Sequence, residues 1–128
     1  MRLILDTHAF VFLASDVKKL PDRAKKIIEA SSLFVSAISA FEMALLCKRQ
    51  RLRLPIAPET FWEKALEQHG IEEIPIDRII AMRAAALPDL HNDPFDRIII
   101  ATALEQDLVI VTKDGEIPKY PNVRIVWD

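Results

Sequence analysis

Leu108-Val109-Ile110-Val111 is apolar at every position, and that decides the fold. A strand with one wet face alternates apolar with polar residues, whereas a strand covered on both faces is apolar throughout. Leu3-Ile4-Leu5 and Leu33-Phe34-Val35 share this character, Ile71 to Ile76 is a weaker strand, and Val123-Arg124-Ile125-Val126 is the last. Helical spacing fills the intervals. Pro21 leads Ala24, Ile27, Ile28 and Ala30 from a first-turn position, and Ser39 opens a helix carrying Phe41, Ala44, Leu45 and Lys48. Pro58 to Gln68 reads as a helix that Gly70 ends, Asp77 to Leu87 as another, and Asp93-Pro94 starts one through Leu104. Buried strands alternating with helices predict an α/β fold, a three-layer α/β/α sandwich with a central parallel sheet, as one domain over residues 1–128.

Composition narrows the chemistry. Hydrophobic residues are 51% and charged residues 28%, a balance that folds rather than stays disordered. The longest apolar runs, such as Ile98 to Ala101, are far too short to span a membrane, and Asp6 interrupts the N-terminal run too early for a secretory signal. Cys47 is the single cysteine, so no internal disulfide forms and a cytoplasmic setting is expected. The net charge of −2 carries no broad attraction for nucleic acid, so any such role rests on a local site. With only Gly70 and Gly115, neither a dinucleotide fingerprint nor a P-loop can be built. One cysteine and the scattered His8, His69 and His91 make no structural zinc site. Carboxylates remain.

Asp6 ends the first strand and Asp114 follows Val111-Thr112-Lys113, so both lie at strand carboxyl ends, where parallel sheets bind ligands. Asp93 before Pro94 suits an N-cap, which makes Asp96 the third helical residue. By the same pattern Ser39-x-x-Glu42 is a capping box, an alternative to a catalytic role for Glu42. Asp6 and Asp96 sit among apolar neighbours, and crowded carboxylates there raise one another's pKa unless a cation neutralises them. A hard divalent ion, Mg²⁺ or Mn²⁺, matches oxygen donors.

His91-Asn92-Asp93-Pro94-Phe95-Asp96-Arg97 resembles the H-x-D-P-F-D-R block of PIN-domain proteins, and more narrowly of VapC-like toxins of prokaryotic toxin–antitoxin pairs. Leu5-Asp6-Thr7-His8-Ala9 resembles that family's opening segment, Val35 to Glu42 its second acidic motif, and Val111-Thr112-Lys113-Asp114 its closing T-x-D. The motifs stand in family order across nearly the whole chain. Phe12 and Phe41 replace a frequent tryptophan, which exchanges one aromatic for another, and no acidic position is lost.

The resemblance implies a metal-dependent endoribonuclease, with Asp6, Glu42, Asp96 and Asp114 catalytic. Asp6, Asp96 and Asp114 would ligate one or two Mg²⁺ or Mn²⁺ ions, and Thr7 and Thr112 would support them. It also implies an RNA substrate, a cognate antitoxin that silences the site, and a homodimer. Arg97 is read either as a phosphate contact or as a salt-bridge partner of a neighbouring acid. Lys48, Arg49 and Arg51 form the one dense basic run, suited to RNA, to an acidic partner segment, or simply to a helix C-terminus. Three rivals differ in class. A haloacid-dehalogenase-type phosphotransferase needs D-x-D, where this chain has His8 in the second slot. A receiver domain needs paired acids near the first strand, where Asp6 stands alone. A catalytically silent PIN-like binding module is the alternative that stays open, with the complete acid set arguing against it.

Overall fold

The computed structural model describes residues 1–128. In chain order the elements are β1 (Arg2–Leu5), α1 (Thr7–Ser15), α2 (Asp22–Glu29), β2 (Ser32–Ser36), α3 (Ala37–Lys48), α4 (Pro58–His69), β3 (Ile71–Ile74), α5 (Arg78–Ala86), α6 (Pro94–Gln106), β4 (Val109–Val111) and β5 (Ile125–Val126). All strands pair in parallel, in the order β3-β2-β1-β4-β5. No helix is long and apolar enough to cross a membrane.

The uninterrupted apolar strands are explained by what covers them. Leu3, Leu5, Val109 and Val111 face one layer, where Phe10 of α1, Met43 of α3 and Phe61 and Trp62 of α4 pack. Ile4 and Ile110 point the other way, onto Ile80 of α5 and Ile99 and Ile100 of α6. Successive side chains on a strand alternate faces, so a dry environment on both sides selects apolar residues at every position. The α/β/α sandwich follows from that.

The strand order also positions a site. From β1 the chain builds outward through β2 and β3, then returns to the opposite side of β1 as β4. Connections therefore leave in opposite directions from the carboxyl ends of β1 and β4, and a crevice opens between them. Leu5 pairs with Val111 at that edge, directly before Asp6 and Thr112.

Local chemistry sets most helix ends. Gly70 closes α4 with φ of 62°, a left-handed conformation that costs glycine nothing. Asp77 caps α5 by accepting from the Ile80 N–H at 2.8 Å. Pro21 is the residue before α2 rather than within its first turn, and the third strand stops at Ile74 rather than Ile76. α1 is the element that sequence pattern does not announce. Its Ala9, Phe10 and Val11 are all buried, and a helix apolar almost all round lacks the polar stripe that reveals a 3.6-residue period.

Arg97 corrects an expectation. Its guanidinium neither faces the acid cavity nor forms a close ion pair, the nearest carboxylate being exposed Asp89 at 4.0 Å. Instead it donates to the carbonyls of Ala84 (2.9 Å), Leu87 (2.8 Å), Pro88 (2.9 Å) and His91 (3.2 Å). Those oxygens belong to the end of α5 and the loop leading to α6; the Leu87 carbonyl has no other donor, while those of Ala84, Pro88 and His91 also accept from Leu87 N–H, Leu90 N–H and the Tyr120 hydroxyl. The planar fork suits several divergent acceptors at once, which an ammonium does not. Arg97 thereby ties down the segment that carries His91 and Asp93.

Arg97→Lys should therefore destabilise the fold by about 1–2 kcal/mol in urea unfolding, because the Leu87 carbonyl loses its donor and three others lose one of two. A loss under about 0.5 kcal/mol would mean that water replaces the guanidinium without cost.

Candidate active site

Asp6 is the N-cap of α1. Its backbone N–H continues the β1–β4 ladder onto Val111 O at 3.1 Å, and its Oδ1 accepts from the Ala9 N–H at 2.8 Å. The carboxylate is thus fixed by the last rung of the sheet and the first turn of a helix. Asp93 caps α6, accepting from the N–H groups of Phe95 (2.9 Å) and Asp96 (3.3 Å), and Pro94 follows as the first helical residue. Asp96 consequently projects from the first turn. Asp114 follows β4, where its N–H donates to Thr112 Oγ1 at 3.0 Å and its Oδ1 accepts from the Glu116 N–H at 2.8 Å.

Glu42 has a different origin from the one its spacing suggests. Ser36, not Ser39, caps α3, accepting from the Ile38 N–H at 3.1 Å. The helix begins at Ala37, so Glu42 lies well inside it and no capping box forms. Ser39 is buried in the helix and its hydroxyl shares a 2.9 Å hydrogen bond with that of Thr7. That contact holds the start of α1 against α3. The structural explanation for Glu42 fails, and its carboxylate reaches the crevice.

Asp6, Glu42, Asp93, Asp96 and Asp114 line one cavity of about 350 Å³ with His8 and Lys113, and no hydrophobic residue lines it. Its electrostatics follow from crowding under partial cover. Burial raises the pKa of Asp6, against the favourable Thr112 hydroxyl and Ala9 amide. Burial likewise raises Glu42, opposed by the Thr7 hydroxyl beside it. Asp96 is pushed up to about 7, first by burial and then by Asp93, Asp6 and Asp114, against the stabilising His91. His91 Nε2 lies 2.9 Å from Asp96 Oδ2 and 3.7 Å from Asp114 Oδ2, and the bond to Asp96 raises its own pKa. The two titrations are coupled, and with its pKa near 7 the Asp96 carboxyl carries a proton below neutral pH.

The structure brings Asp6, Glu42, Asp96 and Asp114 together, with Thr7 and Thr112 beside them. Lys48, Arg49 and Arg51 follow from the end of α3 and line no part of the acid cavity. Sequence reasoning gives Asp93 only a capping role and leaves His91 out of the predicted site, yet both stand beside Asp96. The signal was present in their spacing. A residue at the N-cap and one two positions earlier both lie beside the third helical residue when the loop folds back.

The donor set fits a hard divalent cation. Ligand atoms of His91, Asp93 and Asp96 lie within 4.8 Å of one another, and the remaining carboxylates border the same space. Such like charges under partial burial are tolerated only if protons or a cation offset them. Carboxylate oxygens in this number suit a hard cation better than a soft one, with His91 as a nitrogen donor beside them.

The proton on Asp96 has a consequence for stability. Between the usual carboxylate pKa of 3.8 and about 7, the folded Asp96 holds a proton that the unfolded chain releases. Folding then takes up a proton, so ion-free protein gains stability as pH falls through this window and loses it as pH rises through 7. Compared with Asp96→Asn in chelator, the wild type should gain on the order of 1–2 kcal/mol between pH 8 and pH 5. Urea unfolding measures the difference, and a change of opposite sign would contradict the assigned burial.

The family model described as PIN domain matches residues 3–123. Ribonuclease VapC22 of Mycobacterium tuberculosis (strain ATCC 25618 / H37Rv) is 36% identical over 129 residues, covering 98% of each chain. Among solved structures, VapBC2 from Rickettsia felis bound to a promoter DNA fragment superposes with a TM-score of 0.72 at 17% identity, over 100% of both chains. A toxin–antitoxin complex from Klebsiella pneumoniae gives 0.65 at 24% identity, over 97% of this chain and 95% of that one. The solved structures share the fold. The family match over nearly the full length, joined to the acid cavity at the β1/β4 edge, establishes that the chain belongs to the PIN domain family.

Proposed function

We propose that this protein is a divalent-metal-dependent endoribonuclease, acting as the toxin of a toxin–antitoxin pair. The observation that carries the reading is the single cavity in which Asp6, Glu42, Asp93, Asp96 and Asp114 face one another with no hydrophobic residue in its wall. The likeness to Ribonuclease VapC22 supports RNA as the substrate. The solved toxin–antitoxin neighbours support a partner protein that silences the site. A silent binding module is not favoured, since such a module has no use for a full set of carboxylates held at this electrostatic cost.

Asp6, Asp96 and Asp114 are assigned as the groups that hold one or two Mg²⁺ or Mn²⁺ ions, with Glu42 completing the set. A bound ion supplies Lewis acidity and charge neutralisation for phosphodiester hydrolysis. The protein's own groups do the rest. Thr112 accepts from the Asp114 N–H, which leaves its hydroxyl proton for Asp6 and couples the two carboxylates at one strand end. His91 donates toward Asp96 and so sets the orientation of that carboxylate. Lys113 brings a cation to the cavity wall, where a phosphate oxygen needs a counter-charge.

Purified protein should cut labelled RNA internally with Mg²⁺ or Mn²⁺ and not in chelator. Asp6→Asn and Asp96→Asn should each lower the rate by about a hundredfold or more, while circular dichroism shows the fold retained. Glu42→Gln should fall by at least tenfold, on the order of the loss of one positioned catalytic group. Cleavage that persists in chelator, or full activity in Asp96→Asn, would defeat the assignment.

A further inference from the structure

The acid cavity continues into a groove of opposite charge. His8 lines the cavity and also a neighbouring space of about 520 Å³ bounded by Thr7, Val11, Phe12, Lys19, Arg51 and Leu52, among others. That space shares Phe12, Lys19 and Leu52 with a further depression reaching Arg53. Lys113 stands at the junction, lining the acid cavity. Its Nζ lies 5.4 Å from the centre of the Phe12 ring, and so does that of Lys19. One half-buried aromatic ring therefore holds two ammonium groups beside the site.

We propose that this groove, with Lys113, Lys19, Arg51 and Arg53 arranged about Phe12, is the track for the phosphate backbone of single-stranded RNA adjoining the cleaved bond. The inference rests on the nuclease reading and adds where the flanking nucleotides go. Cleavage at an internal bond requires the strand to leave the acid cavity, whose carboxylates repel phosphates. The groove is where cations first replace them. Lys113, Arg51 and Arg53 form no ion pair, and the Lys19–Asp16 pair at 3.7 Å is exposed and weak. A chain of net charge −2 has no surplus of cations, so their concentration here is local. Positive grooves combined with aromatic side chains follow a single strand without reading its sequence. The contact with Phe12 holds both ammonium groups near their working positions before RNA arrives, which lowers the ordering cost of binding.

The test is binding, measured in chelator so that no cleavage occurs. Fluorescence anisotropy of a labelled, unstructured 12-nucleotide RNA is followed against NaCl concentration for the full chain and two variants. The Lys19→Gln/Arg51→Gln/Lys113→Gln variant should bind about tenfold or more weakly, and its log–log salt slope should be shallower by about 2, near 0.7 for each lost cation. Phe12→Leu should weaken binding with the slope unchanged, because every charge remains. Wild-type affinity and slope in the triple variant would overturn the proposal. So would an acidic peptide that binds as tightly as the RNA and loses as much in that variant, which would assign the groove to a protein. A wild type that binds RNA through this groove but never cuts it would defeat the nuclease reading and leave the track standing; cutting with groove-independent affinity would do the reverse.

Discussion

Like charges at the carboxyl edge of a buried sheet are the constraint on which this molecule turns. Five carboxylates share one cavity, and two of them, Asp6 and Asp96, are largely withdrawn from water. Mutual repulsion and desolvation both oppose folding there. The site persists because each acid is anchored by structure that exists for other reasons. Asp6 and Asp93 are helix caps, Asp114 closes a turn after β4, and Glu42 rides on a helix held by the Thr7–Ser39 hydrogen bond. The apolar layers on both faces of the sheet supply the stability that this arrangement consumes.

The same constraint explains the supporting groups. Thr112 and Thr7 favour the charged forms of Asp6 and Glu42, and His91 does so for Asp96 without cancelling the effect of its burial. Arg97 holds the loop bearing His91 and Asp93 by its carbonyls, so the guanidinium shapes the site without facing it. Just beyond the acids, Lys113 and Lys19 bring two ammonium groups to the Phe12 ring. A polyanion that must touch a cluster of carboxylates needs such a neighbouring surface to stay bound.

Much of this was legible in the residues. Strands such as Val109–Val111 announce a sheet covered on both faces, and Asp93-Pro94 fixes Asp96 in the first turn of α6, as the structure has it. What escaped has physical reasons. α1 lacks a polar stripe because almost every side of it is covered, so periodicity is silent. Ser39-x-x-Glu42 imitates a capping box, but the chain leaves β2 directly into a helix at Ser36, an event decided by tertiary packing. Arg97 stands next to Asp96 in sequence and points away from it, since helical neighbours diverge by about 100°. His91 and Asp93 join the site only when the loop folds back, which spacing allows but does not require.

The central claim is that this carboxylate cavity is built to exchange a proton for a divalent cation. Isothermal titration of Mn²⁺ near pH 7, in two buffers of different ionisation enthalpy, tests it most directly. Saturable binding should release up to about one proton, reflecting the raised pKa of Asp96, and both binding and release should weaken sharply in Asp96→Asn. Absence of saturable binding, or binding that releases no proton and is indifferent to Asp96→Asn, would contradict the account.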